Sequence, residues 1–278
     1  MTGRLEGKVA FVTGAARGQG RSHAVRLAEE GADIIAVDIC EQLPQVTNDG
    51  STPEDLKETI RFVEQLDRRI IATETDVRDL DTLTAAVADG VTQLGRLDIV
   101  VANAGIGSSG AVLHEMTPSR WQDTIDINLT GVWHTVKASV PHLIEGGRGG
   151  SIALTSSAGG LKGSRNIGHY IAAKHGVIGM MRTLALELGE YNIRVNAVCP
   201  TQVASPMLLN EWTYRVFCPD LEHPTKEDFA ARSQGTHVLP TPWVECVDVS
   251  NAILFLASDE GRFITGVPLP VDAGNLIK

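Results

Sequence analysis

The chain has 278 residues, of which 43% are hydrophobic, so it is long and apolar enough for one large α/β domain spanning 1–278. Its net charge of −10 argues against nucleic acid as a partner, because such binding needs clustered Lys and Arg to neutralise phosphates. There is no signal-peptide pattern and no apolar run near the ~18 residues of a membrane span, so we expect a cytoplasmic protein with no membrane partner.

Short β-branched or apolar segments alternate with longer segments of helical periodicity. The predicted strands are residues 9–13, 34–38, 70–77, 97–103, 151–156 and 193–198. Residues 21–30 place apolar side chains on a helical period, and Gly31 follows in the position that a helix C-cap favours. This alternation predicts an α/β fold with a parallel sheet covered by helices on both faces.

Two segments fit the alternation poorly. Residues 39–57 are rich in turn-forming residues and predict an irregular insertion, with a new helix beginning near Pro53 and capped by Ser51 or Thr52. Residues 205–243 combine several aromatic side chains with prolines, which predicts a substrate lid over an apolar pocket. The alternatives are a solvated loop for 39–57 and a simple packing segment for 205–243.

The four cysteines lie far apart in the sequence. They form no CxxC pair and have no nearby His at ligand spacing, and the eight His form no HExxH pattern. The sequence therefore predicts reduced cysteines and no metal site.

The first predicted strand runs directly into a glycine-rich segment, and helical periodicity follows at once. Glycines permit a tight turn in which backbone N–H groups approach a pyrophosphate, and the helix N-terminus adds partial positive charge. This strand–glycine–helix context is typical of dinucleotide binding. The candidate cofactor residues in this segment are Gly14, Arg17, Gly18, Gln19 and Gly20.

An acidic residue at the end of the second predicted strand indicates which dinucleotide binds. Asp38 can accept hydrogen bonds from both adenosine ribose hydroxyls and repel a 2′-phosphate, which favours NAD over NADP. Arg17 is a contrary sign, because its guanidinium could pair with a 2′-phosphate. Ile39 and Cys40 add no second positive charge, so NAD remains the prediction, with Ile39 as a further contact.

Polar and small residues follow the third and fourth predicted strands. Asp76 and Val77 can hold the adenine through a carboxylate-to-amine hydrogen bond, although an ordinary turn Asp is the alternative. Asn103, Ala104 and Gly105 place small side chains where a cofactor crosses the carboxyl edge of the sheet.

Together these motifs resemble the short-chain dehydrogenase/reductase family over nearly the whole chain. The matching motifs are TGAARGQG at 13–20, Asp76-Val77, ANAG at 102–105, Asn128, Ser157, YIAAK at 170–174 and the Pro200 region. The resemblance implies a single-domain, Rossmann-like, doubly wound fold. It also implies a catalytic set of Asn128, Ser157, Tyr170 and Lys174, with Tyr170 and Lys174 also touching the cofactor.

The implied chemistry agrees with the side chains themselves. Tyr has an ordinary pKa near ~10, so Tyr170 needs nearby positive charge to act as a base, and Lys174 lies one helical turn on. Ser157 would hydrogen-bond the substrate oxygen, and Asn128 would support a water that relays the proton. In the family the serine lies thirteen residues before the tyrosine, which selects Ser157 and leaves Ser156 structural.

The segment after the sixth predicted strand departs from the family pattern. The family commonly has Pro-Gly followed by a threonine that touches the carboxamide. Here Thr201 follows Pro200 in place of the glycine, and Ser205 replaces the threonine. The hydroxyl group is retained, so the resemblance implies cofactor contacts from Pro200, Thr201, Val203 and Ser205.

The insertion at 39–57 and the C-terminal sequence make the chain similar to a mycofactocin-associated, carveol dehydrogenase-like branch. That branch implies an apolar cyclic or terpenoid secondary alcohol, a tightly bound NAD covered by the insertion, and an external redox carrier. The family also implies a homotetramer. The alternatives are an NADPH-dependent reductase of 3-oxoacyl thioesters or other carbonyls, and a catalytically silent NAD-binding protein.

Overall fold

A seven-stranded sheet forms the centre of the computed structural model, which describes residues 3–44, 46, 48–107 and 109–278. The strands are β1 (Val9–Thr13), β2 (Asp33–Asp38), β3 (Ile70–Glu74), β4 (Ile99–Ala102), β5 (Gly150–Thr155), β6 (Ile193–Pro200) and β7 (Pro268–Val271). They are ordered β3-β2-β1-β4-β5-β6-β7, and every neighbouring pair is parallel. This is the doubly wound parallel sheet that the sequence predicts.

Helices cover both faces of the sheet. They are α1 (Gly18–Glu29), α2 (Pro53–Glu64), α3 (Leu80–Leu94), α4 (Pro118–Ile125), α5 (Gly131–Gly146), α6 (Gly168–Leu188), α7 (Glu211–Phe217), α8 (Lys226–Gln234) and α9 (Cys246–Ala257). Successive strand side chains point to opposite faces, so Val9 and Phe11 of β1 pack with α3, α5 and α6. Ala10 and Val12 pack on the other face with α1, α2 and α9.

The edge strand β7 is absent from the sequence prediction. Its residues include Pro268 and Pro270, which lack the N–H group that a strand donates to its neighbour. An edge strand pairs on one side only, and the N–H groups of Ala197 and Thr201 instead donate to the carbonyls of Val267 and Val271. The prediction was also too long for β3 and β4, which span Ile70–Glu74 and Ile99–Ala102.

Helix boundaries follow the local capping chemistry. α1 is followed by Gly31 at φ +97°, whose N–H donates to the Ala28 carbonyl at 2.9 Å. α2 begins at Pro53, and its N-cap Thr52 exchanges hydrogen bonds with Asp55 in a capping box. Both boundaries were predicted from the sequence.

The part of the chain that the structure describes has no membrane-spanning helix, no metal cluster and no disulfide. No helix there is long and apolar enough to cross a membrane. No group of three or more His, Cys, Asp or Glu side chains there could hold a metal ion. All four cysteines are free.

His23 is a titratable side chain buried between two helices. His23 of α1 is fully buried, and its Nδ1 lies 2.8 Å from the Ser250 hydroxyl of α9. Burial removes the ring from water and lowers its pKa from 6.5 to about 3. The native protein therefore keeps this ring neutral in mildly acidic solution.

His23 should make the protein less stable as the pH falls. Below about pH 6.5 the unfolded chain binds a proton at this ring that the native state does not, so the free energy of unfolding should fall by about 2 kcal/mol by about pH 5. Urea unfolding at several pH values measures this slope. His23→Asn should flatten it, whereas His114→Asn, at a ring whose side chain is 79% exposed, should not. Equal slopes in His23→Asn and the wild type would contradict the assignment.

Candidate functional site

Two adjoining cavities open at the carboxyl edge of the sheet, with empty volumes of about 1010 and 630 Å³ including open solvent. The first, the glycine-loop cavity, is lined by Gly14, Arg17, Gly18, Gln19, Gly20, Asp38, Ile39, Asp76, Val77, Asn103, Ala104 and Gly105. The second, the tyrosine cavity, is lined by Ser157, Tyr170, Lys174, Pro200, Thr201 and Val203. Ser205 lines both. The structure thus brings together every predicted site residue except Asn128, which lines neither cavity.

The glycine loop joins β1 to α1 in a turn that has no room for a side chain at Gly14 or Gly20. Gly14 adopts φ +69°, in the left-handed region that glycine favours. A Cβ on Gly20 would lie 1.8 Å from the Gly14 carbonyl oxygen. The backbone N–H groups at the start of α1 are therefore accessible to a phosphate in the cavity.

Thr13 fixes the spacing between the ends of β1 and β4. Its hydroxyl accepts hydrogen bonds from the backbone N–H groups of Asn103 and Ala104, both at 3.0 Å. The Asn103 amide donates to the Thr13 carbonyl at 3.1 Å. These bonds hold the segment after β4 beside the glycine loop.

Asp38 ends β2 with a carboxylate that is already partly satisfied. Oδ2 accepts from the Ala16 backbone N–H at 2.9 Å, and Oδ1 accepts from the Ser51 hydroxyl at 2.6 Å and the Cys40 N–H at 3.2 Å. Two carboxylate oxygens accept about four hydrogen bonds, so one position remains for a ribose hydroxyl. The side chain is oriented by the protein before any ligand binds.

The described part of the insertion, residues 39–44, 46 and 48–57, folds against the glycine-loop cavity, and residues 45 and 47 lie outside the described residues. Leu43 and Val46 pack with Val77, Ile106 and Ile127 in a small apolar cluster. The Arg17 guanidinium donates to the Asp49 backbone carbonyl, so it connects the glycine loop to the insertion. This contact gives Arg17 a partner within the protein, which the sequence did not reveal.

Asp76 has a partner that sequence reasoning missed. Its carboxylate accepts from the Arg78 Nε at 2.7 Å and from the Arg78 backbone N–H at 2.8 Å. The hydrogen bond and charge of Asp76 raise the pKa of Arg78. The local signal was an Arg two residues after the Asp, and the contact orients the carboxylate at the cavity wall.

Tyr170 and Lys174 lie together on α6. The Lys174 Nζ lies 5.6 Å from the centre of the Tyr170 ring and donates to the Thr155 carbonyl at 2.8 Å. Burial lowers the pKa of Lys174 to about 8. Burial also raises the pKa of Tyr170, although its hydrogen bond with Ser157 opposes this. The phenol therefore depends on nearby positive charge to ionise.

The two adjacent serines point in different directions. The Ser157 hydroxyl lies in the tyrosine cavity, accepts from the Gly159 N–H at 3.0 Å and donates to the Pro200 carbonyl at 3.4 Å. Ser156 is buried, and its hydroxyl donates to the Lys174 carbonyl at 2.9 Å. Ser156 thus ties β5 to α6, and of the two serines that line the cavity Ser157 is the one that has a hydrogen bond with Tyr170.

Asn128 is fully buried in a π-helical turn, residues Asp126–Thr130, between α4 and α5. Its amide accepts from the Ile106 N–H at 2.8 Å and donates to the Ile106 carbonyl at 2.9 Å. A Cβ on Gly105 would lie 3.0 Å from the Asn128 Oδ1 and 3.7 Å from the Lys174 Nζ. π-turns of this kind are frequent at functional sites, and this one places Asn128 behind the segment that lines both cavities.

Only part of residues 205–243 reaches the cavities. Met207 lines both cavities, and Leu208 lines the tyrosine cavity. The aromatic side chains pack with one another around the buried Phe229, with ring centroids 4.9–5.9 Å apart: Tyr214, Phe217 and Trp243. These rings join α7, α8 and the segment that follows α8, and Met207 and Leu208 are candidate lid residues.

The residues present fit a dinucleotide. Gly14 and Gly20 have no room for a Cβ, so the loop backbone itself faces the cavity, and the buried Gln19 Oε1 has no hydrogen-bond partner within the described residues. Asp38 retains acceptor capacity at the ribose end, and Tyr170 and Lys174 lie at the other end. The two cavities together provide an adenosine half and a reacting half.

Comparison with known proteins gives a consistent set of relatives. Residues 8–214 match the family model described as short chain dehydrogenase. The chain is 58% identical over 275 residues to the (-)-trans-carveol dehydrogenase of Rhodococcus erythropolis, covering 99% of each chain. It is 65% identical to a carveol dehydrogenase from Mycobacterium avium crystallised in complex with NAD, covering 100% of each chain with a TM-score of 0.99. A short chain dehydrogenase from Mycobacterium paratuberculosis bound to NAD is 48% identical, covers 99% of this chain and 100% of its own, and has a TM-score of 0.90.

Gly20→Ala should weaken dinucleotide binding at least ~100-fold, because the new Cβ must displace the Gly14 backbone that the loop uses to approach phosphates. Calorimetric titration with NAD measures the affinity, and circular dichroism checks the fold. Gly163→Ala is the matched control, since no atom lies within 4 Å of its added Cβ. An affinity within about twofold of the wild type in Gly20→Ala would show that the loop does not contact the dinucleotide.

Proposed function

The chain belongs to the short-chain dehydrogenase family, and we propose that it uses NAD to oxidise an apolar secondary alcohol to its ketone. The observation that carries this proposal is the tyrosine cavity. Ser157, Tyr170 and Lys174 meet there, beside a glycine-loop cavity shaped for a dinucleotide. No metal is needed for such chemistry when a phenol and an ammonium act together.

NAD is the cofactor that the glycine-loop cavity favours. Gly14, Gly18 and Gly20 would hold the pyrophosphate, and Asp38 would accept from one ribose hydroxyl. A 2′-phosphate would meet a carboxylate there, while Arg17 already donates to the Asp49 carbonyl. This charge arrangement disfavours the alternative of an NADPH-dependent reductase.

Tyr170 is proposed as the group that takes the alcohol proton. Its pKa is raised by burial, so the Lys174 ammonium, 5.6 Å from the ring centre, must stabilise the phenolate. The pKa of Lys174, about 8, keeps most of this side chain charged at neutral pH. When bound, NAD accepts the hydride that leaves the carbinol carbon.

Ser157 is proposed to stabilise the substrate oxygen through its hydroxyl, which already contacts Tyr170 and the Pro200 carbonyl. Asn128 is proposed to support the site from outside the cavity, because its amide holds the backbone of Ile106 at the cavity wall. It is also proposed to support a water that relays the proton, placed beside Lys174. Thr201, Val203 and Ser205 are proposed cofactor contacts at the reacting end.

The substrate is proposed to be an apolar cyclic or terpenoid alcohol. Ile106, Val203, Met207 and Leu208 line the tyrosine cavity around the polar group of Ser157 and Tyr170. These four apolar side chains beside the polar group suit a hydrocarbon ring that bears a hydroxyl, and Thr201 and Gln202 add a polar wall. Two of the relatives are carveol dehydrogenases, and carveol belongs to this class of alcohol.

We propose that the insertion at 39–57 retains the cofactor. Leu43 and Val46 cover the cavity beside Val77, while Arg17 and Asp38 bind the same insertion through Asp49 and Ser51. A cofactor that does not exchange requires an external redox carrier, and mycofactocin is the proposed one. A homotetramer, which the resemblance to the family implies, and a cytoplasmic location complete the proposal.

Tyr170→Phe should lower single-turnover reduction of bound NAD by at least ~1000-fold while leaving NAD affinity within about threefold, because it removes only the ionisable oxygen. Nicotinamide absorbance after mixing with carveol or cyclohexanol measures the rate. Tyr191→Phe is the matched control at a tyrosine that is 41% exposed. Substantial activity in Tyr170→Phe would reject Tyr170 as the base.

Leu43→Ser should raise the NAD dissociation rate about tenfold or more, because it removes an apolar contact from the cover over the cavity. The rate is measured by dilution of the NAD complex into a competing dinucleotide. Leu66→Ser, at a side chain that is 36% exposed beyond α2, is the control. Equal dissociation rates in wild type and Leu43→Ser would mean that the insertion is a loop without a retaining role.

A further inference from the structure

A buried histidine lies behind one wall of the tyrosine cavity. Thr201 and Gln202 follow β6 and line that cavity together with Ser157 and Tyr170. His237 follows α8, is only 1% exposed, and reaches both of these residues from behind. No role has been assigned above to Gln202 or His237.

The ring of His237 connects two segments of the chain. Its Nδ1 lies 2.8 Å from the Thr241 carbonyl, and a carbonyl only accepts, so Nδ1 carries the hydrogen. A ring with its hydrogen on Nδ1 can only accept at Nε2, and Nε2 lies 2.9 Å from the Thr201 hydroxyl, which can donate to it. The Gln202 amide oxygen, which also only accepts, lies 3.0 Å from Nε2 and contacts the same Thr201 hydroxyl, so the two acceptors share one hydroxyl hydrogen.

The position of the ring is fixed by its backbone. The N–H groups of Val238 and Leu239 both donate to the Ala273 carbonyl at 3.0 Å. The His237 carbonyl accepts from the Lys278 ammonium at 2.5 Å, and the Asn275 amide donates to the Thr236 carbonyl at 2.9 Å. The C-terminal segment therefore holds His237 from the side away from Thr201 and Gln202.

Apart from these side-chain contacts, the wall is held mainly through its backbone. The Thr201 N–H donates to the Val271 carbonyl at 3.2 Å, and the Gln202 carbonyl accepts from the Val244 N–H at 2.9 Å. Gln202 also reaches the Thr236 hydroxyl at 3.5 Å, at the limit of a hydrogen bond. Because glutamine has several rotatable bonds, its direction in the cavity depends on the contacts that its amide makes.

We propose that His237 is a positioning residue that holds the Thr201 hydroxyl, and through it the side chain of Gln202, as a fixed wall against the alcohol. This inference rests on the proposed function, because it deepens the description of the same cavity. His237 lies behind the wall and transfers no proton to the substrate. Its loss should weaken alcohol binding more than the reaction step, because Ser157, Tyr170 and Lys174 remain in place.

Three variants separate positioning from stability. The amide of His237→Gln reaches the place of Nε2, so it keeps a polar group beside Thr201 and Gln202. The shorter amide of His237→Asn stays near the place of Nδ1 and keeps only the Thr241 contact. His237→Leu removes both contacts while filling most of the space.

The test is a single-turnover assay of the NAD-loaded protein with cyclohexanol and carveol, followed by nicotinamide absorbance, with melting temperatures measured in parallel. We expect the half-saturating alcohol concentration to rise about tenfold in His237→Asn and His237→Leu, with the limiting rate within about threefold of the wild type. His237→Gln should stay within about threefold in both quantities. Activity losses that follow the melting temperatures, with His237→Asn better than His237→Gln, would overturn the inference.

A crystal structure of His237→Leu gives a readout that does not depend on turnover. We expect the Gln202 amide to adopt a different rotamer, and an unchanged Thr201–Gln202 wall would overturn the inference. A wild-type protein that reduces no NAD with any alcohol would reject the proposed function instead. The structure of the variant would then still decide whether His237 holds the wall.

Discussion

The parallel pairing of β1 with β4 is the constraint on which the site depends. Parallel strands place all of their carboxyl ends at one edge, and the sheet order changes direction on either side of β1 and β4. The Thr13 hydroxyl fixes the distance between the two strand ends by accepting from two successive N–H groups after β4. The glycine loop, the carboxylate of Asp38 and the helix of Tyr170 converge there because their elements meet at this edge.

Much of the fold and site could be predicted because the relevant signals are local. Strands that are buried on both faces appear in the sequence as short apolar runs, and Gly31 and Thr52 mark helix ends through their own capping chemistry. Spacing along one helix turn places Lys174 beside Tyr170 whatever the rest of the chain does. The resemblance to a family then assigned functions to these local motifs.

The features that sequence reasoning missed depend on contacts between distant segments. β7 contains two prolines, which a sheet tolerates only where a strand pairs on one side. The sequence alone does not show that this segment lies at the edge of the sheet, beside β6. Tyr214, Phe217 and Trp243 pack around Phe229 of α8, and no local pattern in the sequence indicates which of these rings meet. His237 is separated from Gln202 by 35 residues, and no periodicity connects them.

The carboxylate of Asp38 has one further consequence for anyone who redesigns this protein. Its two oxygens accept from the glycine loop at Ala16 and from the insertion at Ser51, in addition to facing the ribose end of the cavity. Replacing Asp38 with a neutral residue to admit a phosphorylated dinucleotide would also release both of these segments. Choice of dinucleotide and closure of the cavity are thus coupled through one side chain, and the two traits would have to be engineered, and would have to evolve, together.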